Sequence, residues 1–156
     1  MSELSRAAEL AAANAAGMKL YARQWLDADA AEDAVQEALV SLLSLKKCPE
    51  DPVAWMYVAV RNRAIDQARS GQRRKRREQN AAQSEWFDAS AENSLDAEEV
   101  QRALRRLPRE VREIVVLRVW GGLGYAMIAR IAQISVGTAH QRFEEAMKEL
   151  RRNLFV

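Results

Sequence analysis

Between Tyr125 and Leu150 two stretches of helical apolar spacing are separated only by Gln133, Ile134 and Ser135, and helices joined by so short a turn must cross and pack. The first stretch carries Ile128, Ala129 and Ile131. The second carries Val136, Ala139, Phe143, Ala146 and Leu150 at i, i+3, i+7, i+10 and i+14. Ala129 is small where the helices approach, Ile134 is placed to plug the turn, and Ser135 is expected to accept a hydrogen bond from the backbone N–H of Thr138. The outer face then presents Thr138, His140, Gln141, Glu144, Glu145 and Lys148. Base edges in the major groove are read by hydrogen bonds, which short polar groups on an exposed N-terminal half can supply. An ordinary packed helical pair shares the periodicity but has no need of the small residue, plug and cap in register. The segment is expected to be a helix-turn-helix that docks on DNA.

The rest of the chain repeats the helical period, with Ala, Leu, Glu, Arg and Val dominant, three prolines at apparent boundaries, and nothing that alternates like a strand. An all-α protein follows. A first helical region is expected from about Ser5 to Leu26, with Leu10, Met18, Leu20, Tyr21 and Trp25 among alanines, and the next helix from about Asp29 to Leu45 with Val35, Leu39, Leu42 and Leu43 as its apolar stripe. Residues 46–52, with two prolines, form a loop. A third helix runs from Val53 to about Arg77, its buried side expected to hold Trp55, Val58, Ala59, Asn62 and Ile65. The stretch 78–93 is polar and aperiodic and reads as a flexible linker, although Trp86 and Phe87 mark a docking contact or short turn within it. Ser94 is expected to cap a helix ending near Leu107, and Pro108 to open the next, in which Val111, Ile114, Val115, Leu117 and Val119 are apolar before Gly121, Gly122 and Gly124 stop it. Two small helical domains result, 1–77 and 94–156, joined by 78–93.

At 49% hydrophobic and 29% charged residues the chain can build packed cores. Its Ala-rich N-terminus reads as neither signal peptide nor membrane anchor, so no membrane insertion and a cytoplasmic location are expected. The single cysteine, Cys48, has no internal disulfide partner, and one histidine cannot build a His/Cys zinc site. No metal, cofactor, small-molecule substrate or catalytic residue is expected. The net charge of +2 averages over an uneven distribution. Arg61, Arg63, Arg69, Arg73, Arg74, Lys75, Arg76 and Arg77 are opposed in their stretch only by Asp66, whereas 85–99 is acidic without a basic residue. Such a basic block is the footprint of a polyanion.

Taken together, the two halves resemble the extracytoplasmic-function (ECF) group of bacterial sigma factors, which direct RNA polymerase to promoters. In the first half the resemblance rests on AlaGluAspAlaValGlnGluAlaLeu at 31–39, and on AlaTrpMetTyrValAlaValArgAsnArgAlaIleAspGlnAlaArg at 54–69 with the arginines after it. In the second it rests on AlaLeuArgArgLeuProArgGluValArgGluIleValValLeuArg at 103–118, and on GlyGlyLeuGlyTyrAlaMetIleAla with SerValGlyThr.

The resemblance implies a sigma domain 2 and a sigma domain 4, and assigns each a partner. Asp33, Gln36 and Glu37 would bind the coiled coil of the polymerase's largest subunit. The loop with Lys47 and Cys48, then Asn62, Asp66 and Arg69, would capture the opened −10 element, with Arg61, Arg63, Arg73, Arg74, Arg76 and Arg77 along phosphates. Trp55 and Tyr57 could stack on bases, core packing being the commoner use of Trp55. Domain 4 would sit on the polymerase flap and meet the −35 element through Ser135, Thr138, His140, Gln141, Arg142, Glu144, Glu145 and Lys148. Arg142 matches a basic position of the family. The chain departs from it at His140, where Lys or Arg is common, at Glu145 and Met147, where further basic residues are, and at Gln133, where a turn glycine is. Members are commonly held inactive by an anti-sigma partner that clasps the two domains.

Two other functions share some of these features. A stand-alone helix-turn-helix regulator that never touches polymerase accounts for 125–150 but gives residues 46–77 no purpose. A small nuclease would need a phosphate loop or metal cluster that the sequence lacks.

Overall fold

The computed structural model describes residues 2–70 and 94–154, with side chains from Glu99 onward in the second stretch. Arg73, Arg74, Arg76, Arg77, Trp86 and Phe87, and the capping side chain of Ser94, lie outside the described residues. The chain divides into two compact units, Met1–Ser84 and Glu85–Val156. The described residues form eight helices and no strand. None of these helices is long and apolar enough to cross a membrane.

The first unit contains α1 (Glu3–Ala13), α2 (Ala15–Ala22), α3 (Ala28–Leu43) and α4 (Pro52–Ser70). The helical region expected from about Ser5 to Leu26 consists of two helices, which meet at Asn14. Its side-chain amide donates to the Leu10 carbonyl at 2.8 Å and its backbone leaves helical geometry at φ −106°, ψ 11°. Asparagine competes with the backbone for helix hydrogen bonds, which makes it a break inside an alanine-rich run. The two helices leave Leu10 exposed.

Much of the helix packing rests on alanine. On α3 the buried residues are Ala31, Ala34, Val35, Ala38 and Leu42, while Leu39 is half-buried and Leu43 faces solvent, so the stripe expected from the leucines is displaced. Alanines at i, i+3 and i+7 let α2 and α4 approach α3 closely, and this close approach decides the buried face. On α4 the buried set is Ala54, Met56, Tyr57, Ala59, Val60 and Ala64. Of the side expected to be buried, only Ala59 is; Trp55 and Ile65 are half-buried, and Val58 and Asn62 are exposed. This helix packs against α1, α2 and α3, a wide contact arc centred on Tyr57, Val60 and Ala64. Tyr21 stands edge-on to Tyr57 and Trp25, with ring centroids at 5.5 and 5.2 Å.

Tyr57 is fully buried, and its hydroxyl has no hydrogen-bond partner among the described residues. Burial pushes its phenol up to about 12 from the usual 10. An unfolded Tyr57 ionises near pH 10 while the folded one stays protonated, so between pH 10 and 12 the unfolded state binds fewer protons and stability falls as pH rises. The loss amounts to roughly 2–3 kcal/mol across the window. Urea unfolding of the wild type at pH 9 and pH 11.5 should show most of this loss, and Tyr57→Phe should lack it. Equal pH dependence of the two proteins would contradict the assignment.

The second unit contains α5 (Ser94–Arg105), α6 (Arg109–Val119), α7 (Tyr125–Ala132) and α8 (Val136–Leu154). Pro108 precedes α6 at its N-cap, with ψ 149°, rather than opening its first turn. Leu104, Leu107, Val115 and Ala146 form a core on which Val100, Val111, Phe143, Met147 and Leu150 pack. Val119 and Val136, expected to be apolar core positions, are exposed at the helix ends. Arg112 straps α6 to the end of α5 through the Arg105 carbonyl at 3.4 Å, and burial followed by the charge of Arg109 lowers its affinity for its proton. The stop of α6 needs glycine at 121, where a Cβ would meet the Leu117 carbonyl oxygen at 2.5 Å, and Gly122 follows with φ +64°.

Candidate nucleic-acid and polymerase interfaces

The helix-turn-helix is built from α7 and α8. The backbone N–H of Thr138 donates to the Ser135 hydroxyl oxygen at 3.0 Å, the cap read from the sequence, and the Ser135 hydroxyl lies 2.8 Å from that of Thr138. Capping occupies the Ser135 oxygen, so Ser135 orients the helix start more than it reaches outward. Gln133 ends α7 in the left-handed conformation, φ 61°, ψ 46°, and Ile134 N–H bonds to the Ala129 carbonyl at 3.0 Å. Gln133 is the only non-glycine residue of positive φ among those described. A side chain there costs about 1 kcal/mol. Gln133→Gly should therefore raise the melting temperature of the second unit by about 4–8 °C, the shift expected for ~1 kcal/mol in a unit this small. An unchanged or lower midpoint would count against strain at this turn.

On the outer face of α8, His140, Gln141, Glu144, Glu145 and Lys148 are exposed, and Thr138 and Arg142 are half-buried. Four of its polar groups lie in two i,i+4 pairs along the helix. His140 Nε2 lies 3.8 Å from Glu144 Oε1, and the Gln141 amide donates to Glu145 Oε1 at 3.3 Å. The two carboxylates offset Arg142 and Lys148, which leaves this face without an excess of positive charge.

In the first unit, Asn62, Asp66 and Arg69 recur at i, i+4 and i+7 and are all exposed, so α4 carries them along one face. The loop before α4 is fixed at its exit, where the Asp51 carboxylate accepts from the Ala54 N–H at 3.1 Å and Pro52 opens the helix. Lys47 is exposed in this loop. Cys48 is half-buried, its Sγ 3.5 Å from the Pro49 carbonyl and 3.9 Å from that of Glu3. The two aromatics of α4 part company: Tyr57 is sealed in the core and unable to stack on a base, whereas Trp55 is half-exposed. Arg63 points to α3, reaching the Ser41 hydroxyl and lying 3.7 Å from Glu37, and Arg61 lies 5.9 Å from the Trp25 ring centre. Both arginines have contacts within their own unit, a use that the charge count could not reveal.

Asp33, Gln36 and Glu37 are all exposed on α3. One turn further on the same face stands Val40, 63% exposed, with Leu43 next to it at 49%. Sequence reasoning missed this apolar end of the polar face because Leu43 was taken as core. The signal was the spacing of Val40, at i+4 from Gln36 and i+7 from Asp33. Among the described residues no group of three His, Cys, Asp or Glu side chains could hold a metal ion.

Residues 11–74 match the family model described as Sigma-70 region 2, and residues 97–150 match Sigma-70 region 4. The chain is 32% identical over 139 residues to the ECF RNA polymerase sigma factor EcfG of Rhodopseudomonas palustris (strain TIE-1), covering 83% of this chain and 74% of that one. Its fold is similar to a chain in the co-crystal structure of the sigma factor RpoE with the anti-sigma factor NepR from Bartonella quintana, with a TM-score of 0.73, 23% identity, and 95% and 96% of the two chains covered. With both sigma regions present in order and a relative matched over most of its length, the chain belongs to the extracytoplasmic-function group of bacterial RNA polymerase sigma factors.

Proposed function

We propose that this sigma factor divides its work by helix face. The Asp33, Gln36, Glu37 face of α3, extended by Val40, binds the coiled coil of the largest polymerase subunit. The loop 44–51 and the Asn62, Asp66, Arg69 face of α4 engage the opened −10 element, with Arg73, Arg74, Arg76 and Arg77 following its phosphates. The outer face of α8 meets the −35 element while the second unit rests on the flap. The supporting observation is that the acidic α3 face and the mixed polar α4 face are both exposed in one small unit whose intervening sides are packed.

In this reading the chain supplies no catalytic group. Bases captured outside the stack offset the cost of unpairing, and the polymerase carries out phosphoryl transfer. The Bartonella relative was crystallised with an anti-sigma protein. A partner of that kind, covering the exposed apolar end of α3, would keep this chain from polymerase. Co-purification with core polymerase, followed by transcription from a randomised promoter library, tests the whole scheme. A chain that fails to bind core but binds intact duplex tightly would be a stand-alone regulator instead.

A further inference from the structure

His140 stands on the second turn of α8 with its side chain 58% exposed and two side chains set against it. Tyr125, the first residue of α7, meets it edge to face, ring centroids 4.9 Å apart and planes at 75°. Glu144 Oε1 lies 3.8 Å from its Nε2. Tyr125 is itself held, because the Arg118 guanidinium carbon lies 4.5 Å from its ring centre and the Phe143 ring 6.0 Å from it. Arg118 is fixed in turn by a hydrogen bond from its Nη1 to the Leu123 carbonyl at 3.0 Å. A chain of contacts thus runs from the end of α6, across the connecting loop and the start of α7, to one exposed imidazole on the recognition helix.

From this geometry we infer that Tyr125 is a positioning residue for base selection: by fixing the His140 ring, it sets which base-pair edge that ring meets in the major groove. The inference rests on the reading of α8 as the −35 helix. A base-edge hydrogen bond discriminates only when donor and acceptor are held in a narrow geometry, and a ring braced on two sides meets that condition better than a free side chain. Arg118 acts one step further back, keeping the Tyr125 ring against His140. Neither residue needs to touch the base.

The test compares holoenzymes on a promoter set in which each −35 base pair is varied in turn. His140→Ala identifies the base pair that His140 reads by flattening the preference there about fivefold or more. Tyr125→Leu, which keeps an apolar side chain but loses the ring edge, should flatten the preference at that same base pair. Tyr125→Phe should retain it, and the double variant His140→Ala/Tyr125→Leu should be no flatter than His140→Ala alone. If Tyr125→Leu lowers binding equally on all promoters while the preference survives, the residue is only structural and the inference is overturned. If His140→Ala itself changes no base preference, the reader role of His140 fails, and the inference with it.

Discussion

Val40→Lys is expected to weaken binding to core polymerase by about 100-fold, or ~2.7 kcal/mol, while leaving the fold intact. Val40 is 63% exposed in the free chain, so its removal opens no cavity. Lysine is at least as good a helix former as valine, and a cation one turn after Glu37 is locally favourable. On the polymerase side the balance reverses. An interface anchor is apolar and dry, and it sits beside polar contacts that set orientation, the role proposed here for Asp33, Gln36 and Glu37. A charge at that anchor must be desolvated, and it stands on an acidic surface whose partner is expected to be basic. Val40→Ala, which removes only part of the apolar area, should lose about fivefold to tenfold. Competition against labelled wild type for core polymerase measures both, with thermal melts as the control for folding. Affinity of Val40→Lys within threefold of wild type would move the docking surface off this face.

The fold was legible in the sequence where a strong local signal and the tertiary demand agree. Ser135 before an apolar run, three residues after Ala132, can hardly do other than cap α8, and the Thr138 N–H bond is found there. Faces were less legible where alanine carries the packing. A pattern read from large side chains placed Leu43 and Val58 inside and overlooked Ala31, Ala34 and Ala64, because an apolar residue buries well only where a neighbour can approach, and alanine is what permits that approach. The same error hid the apolar end of the α3 face. The contacts of Arg61 and Arg63 were also illegible, since a charge count cannot tell a phosphate-facing guanidinium from one lying beside Trp25 or Glu37. The contact of Tyr125 with His140 joins residues fifteen apart on different helices and required the crossing geometry itself.

The effect of the arginine block on promoter binding should be as large, and it appears in salt rather than in sequence. Each phosphate neutralised on a single strand contributes a slope of about −0.7 to log K against log salt, and about −0.9 on duplex. Replacing Arg73, Arg74, Arg76 and Arg77 together by Ala should therefore make the slope less negative by about 3 to 4. Between 50 and 200 mM salt the wild-type holoenzyme would lose roughly 100-fold more affinity than the variant. The recognition helix cannot supply this dependence, because Glu144 and Glu145 offset Arg142 and Lys148 on its outer face. Arg142→Ala with Lys148→Ala should change the slope by at most about 2. Titrations of holoenzyme on a promoter with a pre-opened −10 region, at four salt concentrations, separate the two contributions. An unchanged slope in the fourfold variant would remove these arginines from the phosphate backbone and leave the affinity of the complex to polymerase and to the faces of α4 and α8.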